Sequence, residues 1–408
     1  MKALRNYLDK IKPKFEEGGK LRWLHSTYDA FETFLFVPNT TSKSGVHIHD
    51  SRDSKRTMII VVLALIPALL FGMYNLGYQH YLAIGKDAAF FPKFFYGLLA
   101  ILPQIIVSYV VGLGIEFAVA QHKNEEVAEG FLVSGILIPM IMPVDTPLWM
   151  IAVATAFSVV FAKEVFGGTG YNVFNVALIA RAFLFFSYPS MMSGDHVWVR
   201  TKSALGLGGG TAIDSFSGAT PLGQINTTEV ANFSDFAFTG VVGQPLSFSD
   251  MFFGFIPGSI GEVSTLAILI GAIILIMTGV GSWKTMVSVY LGGLISVLLI
   301  NLFGKNPLME MPVYYHFVLG GFSFGAVFMA TDPVTSARTE KGKWIFGFLV
   351  GFLAITIRVF NPGYAEGMML AIIFMNAFAP LIDFYVVDAN IKRRMKRVSV
   401  GVTTNGNK

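Results

Sequence analysis

The chain has 408 residues, of which 53% are apolar and only 14% charged, with no cysteine and a formal net charge of +4. The charged share is well below the roughly one quarter of an ordinary soluble enzyme, and so excludes one. The lack of cysteine excludes disulfides, thiolate metal sites and Cys-ligated iron–sulfur clusters. Lys and Arg concentrate at the two ends of the chain, the distribution of membrane topology rather than of a nucleic-acid footprint, and no nucleic-acid partner is expected.

Residues 1–56 are polar and basic, with no apolar core of signal-peptide type. Within them, Leu21 to Phe36 carries Leu, Trp, Tyr and Phe at mixed spacing, which predicts a short helix lying on the membrane or on a partner. Apolar segments follow near 57–79, 94–119, 127–142, 148–163 and 171–188. A polar, Gly-rich interval covers 189–262, and further apolar segments lie near 263–281, 284–303, 314–331, 344–360 and 367–388. A basic tail, 389–408, holds Lys392, Arg393, Arg394, Lys396 and Arg397. Several segments reach the roughly 20 residues that cross a bilayer. Those at 127–142 and 148–163 are shorter and read as tilted or re-entrant spans.

The two halves resemble each other. Ile138 to Pro147 matches Val327 to Thr335, Gly168 to Asn172 matches Asn361 to Ala365, and Ala177 to Phe183 matches Ala371 to Phe378, in the same order. An internal duplication of five segments per half inverts the second repeat, and sites then fall at the repeat interface beside broken helices. The expected fold is an all-α integral membrane protein of about ten transmembrane helices, in two inverted five-helix repeats at 57–188 and 263–388. The positive-inside rule puts both termini in the cytoplasm and leaves the side of the 189–262 interval open.

Ionisable residues inside membrane segments are functional candidates, because an uncompensated charge there is costly. Arg181 and Arg358 are two such residues. Each fits either the phosphate or polar edge of a cofactor, or a structural pair with a carboxylate such as Glu164 or Asp332. Asn172 and Asn175 share a face if the helix has begun there, and suit either a heteroaromatic ring or a helix cap. Asp145 and Asp332 occupy matching repeat positions beside Pro and Thr, with Thr335 near the second. They fit either a cation or the cap of a broken helix. His47 and His49 alternate in a polar segment, and no histidine pair has metal-ligand spacing. Neither Gly167 to Gly170 nor Gly206 to Gly210 has the setting of a nucleotide-binding loop, so the chain is not expected to oxidise NADH itself.

Asp214, Ser217, Gly218, Ala219 and Thr220 stand inside the polar interval. Small residues there predict an accessible Thr220 hydroxyl on open, flexible backbone; alone, the stretch reads as a solvated loop. Together with Asp50 to Met58, Ala162 to Gly170, Ala180 to Pro189 and Met329 to Ser336, it resembles one family. That family holds the B subunit of the sodium-translocating NADH:quinone reductase and its relative, the D subunit of the Rnf complex. The basic N-terminal extension ending at Met58 favours the former over the shorter Rnf relative.

The resemblance implies an FMN covalently bound to Thr220 by a phosphoester that a separate flavin transferase makes, with Asp214, Ser217, Gly218 and Ala219 as the surrounding motif. It implies a non-covalent riboflavin, assigned to Asn172, Asn175 and Arg181. Electrons would pass from FMN through riboflavin to quinone, coupled to Na+ export, with Asp332, Thr335 and Asp145 as Na+ contacts. It further implies five companion subunits, one of which oxidises NADH, in a bacterial inner membrane. The fold would be urea-transporter-like, with the flavin loop outside. Trp23 to Phe36 and Glu125 to Gly135 are the expected walls of a quinone site. The rival readings are an Rnf D-type electron carrier and a small-solute transporter without a redox role, the latter resting on the inverted repeat alone.

Overall fold

The computed structural model describes residues 2–16, 18–36, 42, 44–46, 54–123, 125, 127, 130–206, 213–214, 216–227, 232–361, 363 and 366–405. His47, His49, Asp50 to Asp53, Ser215 and part of the Glu125 to Gly135 stretch lie outside them. The described residues are helical, with one isolated bridge, Thr239 to Pro245, and no strand.

Two short helices open the chain, α1 (Lys2–Ile11) and α2 (His25–Leu35); the second is the helix expected from the aromatic stretch. They form a hairpin. The Tyr28 hydroxyl donates to the Leu8 carbonyl at 2.9 Å. Arg5 pairs with Asp9 at 3.1 Å and with Glu32 at 2.9 Å.

The apolar helices follow: α3 (Ser54–Ala83), α4 (Phe90–Lys123), α5 (Phe131–Ile141), α6 (Leu148–Ala162) and α7 (Val176–Ser187). After the polar interval, with its short helices α8 (Pro189–Met192), α9 (Pro221–Thr227) and α10 (Phe248–Phe253), come α11 (Thr265–Met277) and α12 (Trp283–Asn301). The chain ends through α13 (Pro307–Glu310), α14 (Val313–Val318), α15 (Phe322–Phe324), α16 (Glu340–Phe360) and α17 (Met368–Asn405). Six helices are long and apolar enough to cross a membrane, beginning at Lys55, Phe90, Leu148, Trp283, Glu340 and Met368; α5, α7 and α11 are shorter apolar helices. The protein is membrane-embedded.

Three expectations change. The segment expected as one helix over 314–331 is broken: α14 ends, the chain unwinds at Leu319 to Gly321, and α15 runs into a π turn over Gly325–Met329. Gly320 sits at φ +68°, a conformation that side chains with a Cβ resist. The basic tail is no separate segment, because α17 continues through it to Asn405. No Pro or Gly interrupts residues 381–400, and Lys and Arg are good helix formers. The described residues of the 189–262 interval, expected as a polar loop, are packed about a core of their own. Leu222, Ile225, Phe238, Met251 and Ile256 form a buried apolar cluster with Met311 and Leu319. These residues fall in short stretches interrupted by Gly, Ser, Thr and Asp, so the interval looks polar when read as a run.

Close helix contact rests on small residues, as lipid-embedded packing requires. A Cβ added to Gly97 on α4 would lie 1.8 Å from the Met73 carbonyl oxygen of α3, and one on Gly351 of α16 only 1.9 Å from that of Val289 on α12. Gly351→Leu is therefore expected to force α12 and α16 apart. The cost is about 1–3 kcal/mol or more, read as a lowered unfolding temperature in detergent; an unchanged transition would show that the helices separate freely.

Candidate functional site

Two polar sites are built where helices break. The first surrounds Thr220. The Ser217 amide donates to the Val241 carbonyl at 3.0 Å. Gly218 is buried, and a Cβ there would lie 2.3 Å from the Asp195 carbonyl oxygen, so a larger residue does not fit. Gln224 Nε2 donates to the Ala219 carbonyl at 3.2 Å and to that of Thr239 at 2.7 Å. Thr220 Oγ1 accepts from the Gly223 amide at 3.1 Å, capping the first turn of α9. The turn is thus fixed by hydrogen bonds and packing, which corrects the expectation of open, flexible backbone. Asp214 is exposed and Ala219 buried. Thr220 faces a shallow recess, with a cavity volume of only about 20 Å³, that it shares with Leu222, Ser259, Glu262, Gly320 and Glu366.

Beside this recess lies a buried charge cluster. Arg181 on α7 is 4% exposed. Its Nη1 donates to Glu262 Oε1 at 2.5 Å and its Nη2 to Glu366 Oε2, while Ser259 Oγ donates to Glu262 Oε2. The partners expected for Arg181 were Glu164 or Asp332. Instead Glu164 lies 3.8 Å from Lys123, and Asp332 is bonded to Asn175. Glu262 and Glu366 are missed by a sequence reading because each falls one residue outside an apolar segment, far along the chain from Arg181. The available signal was a carboxylate flanking each of the segments 263–281 and 367–388. Arg358, the other membrane arginine, is fully buried and donates to the carbonyls of His316 at 2.6 Å and Leu319 at 3.1 Å. It satisfies the frayed end of α14, a structural task.

The second site lies at the start of α7. Gly167, Gly168 and Gly170 take φ values of +117°, +91° and +95°, which turns the chain sharply ahead of Asn172. Asn172 precedes the helix, so the two asparagines do not share a helical face. Asn175 caps it: Oδ1 accepts from the amides of Ala177 at 3.0 Å and Leu178 at 3.2 Å. Its Nδ2 donates to Asp332 Oδ2 at 3.2 Å, and Asp332 also accepts from Thr335 Oγ1 at 3.0 Å and the Val334 amide at 3.0 Å. Asn172, Asn175 and Asp332 nonetheless line one cavity of about 830 Å³, measured with its open mouth, together with Lys163, Thr169 and Phe328. Lys163 is held in a buried ion pair with Glu116 of α4. Thr169 Oγ1 is buried with no hydrogen-bond partner among the described residues. Apolar walls with a few fixed polar groups suit a flat heterocycle. Arg181 does not line this cavity; its bonds run to the Thr220 recess, which corrects its grouping with the asparagines.

Asp145 is separate from both sites. Its Oδ1 accepts from Arg200 Nε at 2.8 Å, at the break between α5 and α6. Among the described residues no three His, Asp or Glu groups are placed to hold a metal ion, and Asp145, Asp332 and Thr335 do not converge on one ion site.

Residues 41–392 match the NQR2, RnfD, RnfE family. The chain belongs to this family. It is similar to the B subunit of the Na(+)-translocating NADH-quinone reductase of Chromohalobacter salexigens, at 44% identity over 97% of each chain. The B subunit from Yersinia pestis is also 44% identical, and that from Pseudomonas aeruginosa 43%, each over 97% of this chain and 99% of the relative. Family membership covers both polar sites and both halves of the membrane region.

Proposed function

We propose that this chain is the membrane-embedded B subunit of a sodium-translocating NADH:quinone reductase. It passes electrons from an FMN esterified to Thr220, through a bound riboflavin, to quinone, coupled to Na+ export. The observation that carries the reading is the Thr220 hydroxyl, held in a rigid small-residue turn at the rim of a recess, in a chain related over nearly its full length to B subunits. Thr220 supplies the oxygen of the phosphoester, and Gly218 and Ala219 are packed inward and hold the turn that presents it. FMN supplies one-electron redox chemistry; the protein supplies position, burial and electrostatics. Thr169, Asn172 and Lys163 would hold the polar edge of riboflavin, and Leu137, Leu275 and Phe328 its faces. NADH oxidation falls to one of five companion subunits. Asp332 with Thr335 remains the better Na+ contact, because Asp145 is neutralised by Arg200.

The architecture inferred with this function is ten membrane segments in two inverted repeats, α3–α7 and α11–α17, with 1–56 as the N-terminal and 189–262 as the connecting segment, and the basic residues of 389–405 on the extension of α17. Matching helix pairs support it: α4 packs on α6 as α12 packs on α16, α6 on α7 as α16 on α17, and α3 meets α11. Both termini face the cytoplasm of a bacterium, and the 189–262 interval faces away from it. Lack of native cysteine makes this testable. Ser234→Cys, at an exposed position in that interval, is expected to react with an impermeant maleimide in intact spheroplasts and not in sealed inverted vesicles; the reverse pattern overturns the sidedness. Asn172→Leu is expected to remove acid-extractable riboflavin from the purified complex, leaving the protein-bound flavin intact. Retention of both flavins would move riboflavin to another cavity. The Rnf D-type reading stays second, since the family includes it, and quinone reductase activity in the purified complex separates the two.

A further inference from the structure

We propose that the cavity between the end of α3 and the start of α4 binds the phosphate of an anionic phospholipid, whose acyl chain lies along the outer face of α3. The cavity measures about 430 Å³ and is lined by Tyr78, Tyr81, Lys86, Asp87, Lys93 and Ile213. Val242 lines it too, which places it on the membrane face that carries the 189–262 interval. Lys93 is held inward: its side chain is 12% exposed, and Nζ lies 5.3 Å from the centre of the Tyr78 ring. Lys86 is exposed and has no carboxylate partner among the described residues. Two carboxylates stand near. Asp87 meets Lys93 at 3.4 Å through a side chain that is 99% exposed, and Asp214, next to Ile213, is exposed as well. An ion pair to so hydrated a carboxylate is weak, so the Lys93 ammonium stays open to a phosphate. The hydroxyls of Tyr78 and Tyr81 make no hydrogen bond among the described residues, which leaves two further donors at the site.

The face that leads to the cavity selects a lipid over a free anion. On α3, Ile59, Leu63 and Leu70 are 48%, 50% and 47% exposed. With Tyr74, Tyr78 and Tyr81 they recur at spacings of 3, 4 or 7 residues, one helical stripe that ends at the cavity. Phe90 widens this surface from α4: it is exposed, and its ring stacks on Tyr74 with centroids 5.0 Å apart. On a membrane helix such a stripe faces acyl chains, and the tyrosines and lysines at its end stand at headgroup depth. Lysine answers phosphate as a point charge, so two ammonium groups above an apolar track match an anionic phospholipid. The site needs no flavin and lies apart from both polar sites described above.

The test uses the assembled complex, purified and stripped of lipid in detergent, with native mass spectrometry to count retained lipid and the unfolding temperature measured alongside. Phosphatidylglycerol, phosphatidylcholine and inorganic phosphate are the probes. Lys86→Gln with Lys93→Gln should raise the phosphatidylglycerol concentration that half-fills one lipid site by about tenfold, the factor expected for a lost hydrogen bond to a charged group. Phosphatidylcholine, with no net negative charge, should not distinguish that variant from the unmodified complex. Leu63→Ser with Leu70→Ser, which strips the acyl track, should weaken phosphatidylglycerol retention with both lysines in place. Retention that neither variant alters overturns the site. Loss in the leucine variant alone, or equal loss of both lipids in the lysine variant, overturns recognition of the anionic headgroup. Loss in the lysine variant alone overturns the acyl track and leaves an anion site, which inorganic phosphate should then fill with a rise in unfolding temperature. If the double lysine variant fails to assemble, Lys86→Gln alone decides, because that side chain is exposed.

Discussion

Thr220→Ala is expected to abolish the ultraviolet fluorescence of this subunit on a denaturing gel, and with it electron transfer to quinone by the complex. The threonine hydroxyl oxygen is the side-chain atom that can carry a phosphoester. The fold should survive, because the hydroxyl otherwise accepts one hydrogen bond, from the Gly223 amide, and losing a helix cap costs about 1 kcal/mol. Loss of fluorescence without loss of assembly therefore separates chemistry from folding. Thr220→Ser is the control: it keeps the hydroxyl and the cap, and any flavin it retains must sit on that oxygen. A fluorescent band of normal intensity in Thr220→Ala would put the flavin elsewhere.

Arg181→Leu is expected to cause the largest loss of stability. It leaves Glu262 and Glu366 facing each other in a buried recess with no guanidinium between them. Breaking a buried ion pair by removing one partner costs about 3–5 kcal/mol, enough to lower the yield of assembled complex sharply. The triple variant Arg181→Leu, Glu262→Gln, Glu366→Gln removes the uncompensated charge and should recover much of the lost unfolding temperature. A triple variant no better than Arg181→Leu alone would show that Arg181 acts by packing rather than by charge.

Much of the fold was legible because lipid imposes long apolar runs, and α3, α4, α6, α12 and α16 stand close to where hydropathy places them. What hydropathy misses is local. The unwinding at Leu319 to Gly321 lies inside an unbroken apolar run, and only the Gly pair and the carbonyl-binding Arg358 account for it. The buried cluster of the 189–262 interval was hidden because its apolar stretches are short, lie far apart in the chain and meet only in three dimensions. The sites divide in the same way. The small-residue turn at Thr220 and the glycines before Asn172 are local patterns and could be read. The bond between Asn175 and Asp332 and the binding of Arg181 to Glu262 and Glu366 join residues 157, 81 and 185 positions apart, which no local pattern announces. The spacing of the asparagines suggests a helical face that does not exist at Asn172, yet both line one cavity.

The most direct test is mass spectrometry of the peptide containing Thr220, from chain co-expressed with its companion subunits and a flavin transferase. The predicted peptide is heavier by one FMN less one water, with fragmentation placing the addition on Thr220. An unmodified peptide, or an addition on Ser217, would contradict the account.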